Sequence, residues 1–282
     1  TYGGTTYLRD IKADIITGIN VDLLASKYTL KNANATLNDL ALVLDGWISD
    51  KNKEIVMDAN FKAPSNKFKD LLSILPSAYT KDFNDVKTTG SFNLSGFVKG
   101  VYDGIHKKYP AFDITTQISD ASVQYPKLPK AISDINSQIQ IASKTGASND
   151  VVINIPRFHF KMDNSPFDEV VKAFPMASIK KIKGLLDADV TLKTLESSIT
   201  KKDYAKVDMH GVVALSNFAT QYATYPEVNI SDLHATFTPN AVNIAYCIMM
   251  LGKSDLKFNG AIDNILAYFG TEKTMTGKFN VT

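Results

Sequence analysis

Apolar and polar residues alternate along most of this chain. Residues 151–162 put Ile153 and Ile155, then Phe158, Phe160 and Met162, at every second position. Residues 241–251 do the same through Val242, Ile244, Tyr246, Ile248 and Met250. Phe92, Leu94 and Val98 alternate in 88–100, Ile114 and Ile118 fall in 112–126, and Ile139 and Ile141 in 132–141. Similar runs occupy 182–194, 207–226 and 274–282, and Ala235 and Phe237 alternate after Ile230. A period of two with β-branched and aromatic residues predicts strands. A different spacing interrupts them. Phe68, Leu71, Leu72 and Leu75 stand at i, i+3, i+4, i+7, as do Phe167, Val170, Val171 and Phe174, and Ile262, Ile265, Leu266 and Phe269. That spacing lays four apolar side chains along one face of a short helix. Pro76, Pro175 and Gly270 supply stops, and Ser165 before Pro166, with Asp168 following, supplies a start signal.

These elements recur in one order. "NFKAPSNKFKDLLSILP" (60–76) matches "HFKMDNSPFDEVVKAFP" (159–175), with Phe61 and Phe160 99 positions apart and Phe258 another 98 further on. An aspartate-centred phrase appears as Leu-Asn-Asp-Leu at 37–40, Ile-Ser-Asp-Ile at 132–135 and Ile-Ser-Asp-Leu at 230–233. A glycine follows each helical stripe, at Gly90, Gly184 and Gly277. The pattern predicts a unit of about five strands and one short helix in roughly 97 residues. It divides the chain into a partial unit 1–36, units 37–131 and 132–229, and a partial unit 230–282. Recurrence of Asp39, Asp134 and Asp232 once per unit points to a structural job rather than a catalytic trio. The expected job is a turn at the entry to each unit's first strand, with the carboxylate accepting backbone N–H groups.

A β-rich unit of this size without cysteine staples must bury its apolar face against its neighbours. No Gly/Ser-rich or Pro-rich spacer separates the units, which disfavours independent beads. The expected fold is mostly β with short α-helices: an elongated, curled antiparallel β-sheet groove, growing by roughly 24 Å per five-strand unit.

Composition adds exclusions. The 282 residues are 44% apolar and 21% charged, with a net charge of +2, which suits a folded chain and gives no electrostatic reason to bind nucleic acid. The longest apolar run, Ile244 to Leu251, is 8 residues, far below the ~20 of a spanning helix. The chain opens at "TYGG" and closes at "GKFNVT", which reads as a piece of something longer. Cys247, the single cysteine, sits among apolar residues as a small buried hydrophobe. His106, His159, His210 and His234 lack metal-ligand spacing, "TMTGKF" lacks the upstream glycine of a phosphate loop, and no Gly-x-Ser-x-Gly elbow occurs. The expectation is a non-enzymatic protein without metal or cofactor.

The stretch "FKAPSNKFKDLLSILPSAYTKDFNDVKTTGSFNLSGFVKGVY", followed by "PAFDITTQISDASVQYPKLPKAISDI", resembles the AsmA-like family of Gram-negative envelope proteins, as does "GKSDLKFNGAIDNILAYF" at 252–269. The shared features are Phe-x-Ala before a short helix, a T-x-G-x-F strand, then "PAF" and a "YP-x-LP" turn. The likeness runs from about Leu40 to the end. It implies a periplasmic protein held to the inner membrane by a segment outside this chain, with an apolar β-groove that binds or conducts phospholipid toward the outer membrane. Groove candidates are Phe92, Leu94, Val98, Ile114, Ile118, Ile139, Ile141, Ile153, Ile155, Val242, Ile244 and Ile248. The same positions also suit an ordinary core. An alternative function is a scaffold for outer-membrane proteins, whose strands would add to open sheet edges. A transmembrane barrel is disfavoured by the interposed helices and by Trp47 being the single tryptophan.

Overall fold

The computed structural model describes residues 12–51, 54–64, 67–74, 86–124, 131–147, 149–163, 179–222, 226–265 and 274–282. Fifteen strands form one open antiparallel sheet. They are β1 (Ala13–Ile16), β2 (Ile19–Asp22), β3 (Lys27–Leu37), β4 (Leu40–Lys51), β5 (Glu54–Lys62), β6 (Lys87–Tyr102), β7 (Ala111–Gln124) and β8 (Ile132–Ser143). Then come β9 (Val152–Asp163), β10 (Ile179–Leu195), β11 (Asp208–Tyr222), β12 (Val228–Phe237), β13 (Ala241–Leu251), β14 (Ser254–Asp263) and β15 (Thr276–Val281). From β3 onward each strand pairs with the next in sequence, a pure meander. β1 and β2 share one edge of β3, along its C-terminal and N-terminal halves respectively. Among the described residues, α-helices α1 (Phe68–Leu72) and α2 (Glu196–Thr200) accompany the sheet. The fold is thus the curled single sheet the alternation predicts, not a string of beads.

The recurring sequence markers fall on the strands at intervals that differ from expectation. Leu40 opens β4, Ile132 opens β8, and Ile230 lies two residues into β12. The aspartate phrase therefore recurs every four strands rather than five. Phe61 and Phe160 lie in β5 and β9, again four apart, but Phe258 lies in β14, five strands on. In a meander an odd interval reverses direction. The connection after β14 therefore leaves the sheet from the end opposite α1. Where β9 is followed by a long connection, its counterpart β13 turns back at once through Gly252 and Lys253.

Helix α1 carries the first predicted stripe, through Phe68, Leu71 and Leu72. Phe167, Val170, Val171 and Phe174 lie outside the described residues, as do Leu75, Leu266 and Phe269. In the third stripe Ile262 is a strand residue of β14, and helical conformation begins only at Ile265. The cross-strand partner Val242 holds Ile262 in the ladder. Backbone pairing there overrides the local spacing. Helix α2, "ESSIT", lacks the apolar stripe that would betray it in sequence.

A line of bulges crosses the sheet at the α1 end. Gly90 of β6, Asp120 of β7 and Asp134 of β8 have positive φ, and so, about 97 residues later, do Gly184 of β10 and Asn217 of β11. Strand register slips beside Gly90, between Ile118 and Ala121, between Ser133 and Asn136, and beside Gly184. A Cβ on Gly90 would lie 2.3 Å from the Ala121 Cα, so the recurring glycine is a steric requirement of the bulge. Each bulge sharpens local twist, and a row of them curls the sheet.

Below this crease α1 packs on the sheet. Phe68 joins Leu40, Leu42, Phe92, Leu94, Ile118 and Ile135 in the main core cluster, with Leu71, Leu72, Ile114 and Ile139 against it. The Asn38 side chain fixes the helix to the β3–β4 turn: its Nδ2 donates to the Ser73 carbonyl at 2.7 Å, and its Oδ1 accepts from the Lys12 N–H at 3.0 Å. A second cluster, around Ala235, Ile244 and Cys247, gathers Ile230, Leu233, Val242, Met249, Phe258 and Ile262.

Candidate functional site: an apolar sheet face

Directly opposed residues of an antiparallel ladder project from the same face, so the register sorts the side chains. One row of partners runs Phe92–Ile118–Ser137–Phe158–Val190–Gly211–Phe237–Val242–Ile262, unbroken from β6 to β14. A second runs Ala33–Leu44–Phe61–Gly96–Ile114–Ile141–Ile153–Thr194, from β3 to β10. Leu94, Val98, Ile139 and Ile155 lie on the same face, opposite Thr116, Phe112, Thr116 and Leu192 respectively. Ile244 joins it through Ala235, Val213, Ala188 and Phe160. Eleven of the twelve groove candidates thus share one face.

Ile248 does not. It pairs with Asp232 and Lys257 and is 38% exposed, against 9% for Ile244. The ladder slips between His234 and Ala235 opposite Ala245, and the extra residue reverses the alternation from Tyr246 onward. Cys247 takes the inward position instead, 1% exposed. Burial raises its thiol pKa, so it behaves as a small hydrophobe.

Burial along this face is graded. Phe92, Leu94 and Ile118 are buried beneath the α1 end. Val98, Ile114, Ile139, Ile141, Ile153 and Ile155, toward the other end of the strands, are half-buried. Glycine and phenylalanine meet directly at three places: Phe61 on Gly96, Phe237 on Gly211 and Phe279 on Gly260, with ring carbons where a Cβ would stand. Sequence reasoning missed Phe61, Phe158, Val190, Leu192, Val213 and Leu233 as members of this face. Alternation within 151–162 and 182–194 was the available signal for Phe158, Val190 and Leu192.

The other face is the more polar, with Phe97, Val212, Tyr246 and Ile248 exposed among its charged residues. Lys99 pairs with Asp58 at 2.8 Å, and a ladder across β8, β9 and β10 links Lys161 to Asp134 at 3.1 Å and Arg157 to Asp189 at 3.2 Å. His159 lies 3.7 Å from Asp187 and 3.8 Å from Asp189. Two open depressions of about 570 and 740 Å³ lie mostly on this face, lined by Asp45, Asn60 and Asn154 and by apolar Val43, Phe97 and Val152. The repeated aspartates do not take the turn-capping role predicted for them. Asp134 pairs with Lys161, while Asn38 and Asn136 accept the backbone N–H groups of Lys12 and Asp120. An amide both accepts and donates, which suits it better to a turn.

Among the described residues no three His, Cys, Asp or Glu side chains gather as metal ligands, and no helix is long and apolar enough to cross a membrane. His106 is bonded to Asp103 within its own hairpin, His210 to Asp208, and His234 stacks on Tyr246. Comparison with known proteins found no family model, no curated protein and no solved structure that matches this chain.

Proposed function

We propose that this chain is a non-enzymatic lipid-binding module of the AsmA-like type, whose apolar sheet face holds the acyl chains of a phospholipid and lets them slide from strand to strand. The observation that carries the reading is the run of half-buried aliphatic side chains from Val98 through Ile114 and Ile141 to Ile153 and Ile155, toward the end of the strands away from α1. Face-to-face asymmetry supports it too: one side of a single sheet is predominantly apolar, and the other carries the cross-strand ion pairs. A wholly solvated sheet gains nothing from such a division; a trough for a guest does.

The mechanism is passive. Each buried CH₂ contributes roughly 0.8 kcal/mol. A methylene that leaves one strand finds an equivalent apolar strand ~4.8 Å further on, so movement along the sheet meets a nearly level free-energy profile. Head groups stay in water along the opening. In this reading the full-length protein is periplasmic and tethered to the inner membrane by a segment outside this chain.

Denaturing extraction of the purified protein followed by mass spectrometry tests the proposal. Phospholipid should be released, and should be absent from a folded Ile139→Asp/Ile153→Asp variant. Release of stoichiometric peptide with no lipid would instead favour a strand-accepting scaffold for outer-membrane proteins, and would end the lipid reading.

A further inference from the structure

Three loops lie side by side at the end of the sheet away from α1: 103–110 between β6 and β7, 144–151 between β8 and β9, and 196–207 between β10 and β11. They are physically joined. Gly146 packs so closely on Tyr109 that a Cβ would lie 1.9 Å from its carbonyl oxygen, and the Glu196 N–H donates to the Val151 carbonyl at 2.9 Å. This rim presents aliphatic side chains to solvent: Ile105 is 73% exposed and Ile199 40%. Lysines flank both, Lys107 and Lys108 beside the first, Lys201 and Lys202 beside the second.

The charge is concentrated here as well. The three loops hold six lysines against four carboxylates, an excess of two that equals the net charge of the whole chain, so the remaining 25 basic and 25 acidic residues cancel. The four carboxylates are occupied locally. Asp103 is bonded to His106, Asp203 to Lys206 at 2.6 Å, Asp150 to Ser143 and Thr145, and Glu196 to Thr200 at 2.6 Å. Lys107, Lys108, Lys201 and Lys202 form no ion pair among the described residues.

We propose that this rim docks on an anionic lipid surface, with Ile105 and Ile199 entering the acyl boundary and the lysines meeting the head groups. Apolar tips ringed by unpaired lysines match an interface that is negatively charged outside and hydrocarbon within. The inference does not depend on the apolar face holding lipid. Docking would, however, set the open, half-buried end of that face against a membrane, where a sliding acyl chain could enter or leave.

The test is co-sedimentation with phosphatidylcholine vesicles, with and without phosphatidylglycerol. The protein should pellet with the anionic vesicles, weakly with neutral ones, and less as salt rises. Ile105→Ser/Ile199→Ser should weaken binding at least about tenfold, and Lys107→Glu/Lys108→Glu by a similar factor. These loop positions are exposed, so the fold should persist, as circular dichroism would check. The Ile139→Asp/Ile153→Asp variant, altered only on the sheet face, should still pellet. Failure of the unaltered protein to bind anionic vesicles, equal binding to neutral ones, or binding lost in the face variant yet kept in both loop variants would each overturn the proposal.

Discussion

Replacing Ile244 and Ile248 by alanine, one at a time, tests the assignment of faces on which everything else rests. They sit four positions apart in one strand and have the same side chain. Ile244 is 9% exposed within a cluster with Ala235 and Cys247, whereas Ile248 is 38% exposed between Asp232 and Lys257. Truncating a buried isoleucine to alanine costs about 2–5 kcal/mol. The cluster around Ile244 is small and near the sheet's end, so the low part of that range, about 2–3 kcal/mol, applies. Ile248 has less burial to lose, and its loss should stay under about 1 kcal/mol. A long meander need not unfold in one step, so the assay should be local. Amide hydrogen exchange in peptides covering β12 and β13 reads the local opening free energy. At about 1.4 kcal/mol per decade, Ile244→Ala should speed exchange there roughly 30- to 150-fold, and Ile248→Ala less than about fivefold. Equal effects, or a larger one at Ile248, would refute the bulge at Ala245 and the face assignment with it.

Other outcomes follow from single features. Gly96→Ala would place a Cβ 2.5 Å from both the Phe61 ring and the Asp113 carbonyl, so it should destabilise β5–β7 by about 1–3 kcal/mol; a neutral urea midpoint would show that the ring is free to move. Asp103 raises the pKa of His106 above its ordinary 6.5 through a direct hydrogen bond and its charge, while Asp103 is itself held below 3.8. The His106 contribution is therefore complete below 6.5 and fades as pH climbs through its raised value, while the Asp103 contribution fades as pH falls through its lowered one. The His106 ring proton should titrate above 6.5 by NMR and move back toward it in Asp103→Asn; an unchanged midpoint would dissociate the two. Cys247, buried and with a raised pKa, should react with a thiol reagent only upon unfolding. Rapid labelling of the native protein would contradict its placement.

Much of the sheet was legible because period-two alternation is a property of the strand itself and survives context. The stripe of Phe68, Leu71 and Leu72 was legible for the same reason, since it belongs to one local turn of helix. The errors have a common source in pairing between strands. Ile248 continues the alternation of Val242 and Ile244 in sequence, but a bulge leaves no mark in the run that contains it. Ile262 fits a helical spacing, yet its ladder partner Val242 claims it for β14. Counting strands per repeat failed because the markers disagree: the aspartate phrase recurs every four strands, whereas Phe160 to Phe258 spans five, the shorter β12 to β14 among them. The glycines at 90 and 184 stand out in sequence as repeat markers, but their role at the bulges depends on how closely β7 and β11 approach. The rim of Ile105 and Ile199 was invisible because nothing in sequence says that loops about 90 residues apart share an end of the sheet.

The central claim is that one face of this sheet, and only one, holds lipid. A photo-crosslinking phenylalanine analogue placed at Ile141, on the apolar face, and separately at Ile248, on the polar one, measures this in the purified protein. Irradiation in the presence of phospholipid should give a lipid adduct at position 141 and none above background at 248. Adducts at both positions in equal yield, or at neither, would contradict the account.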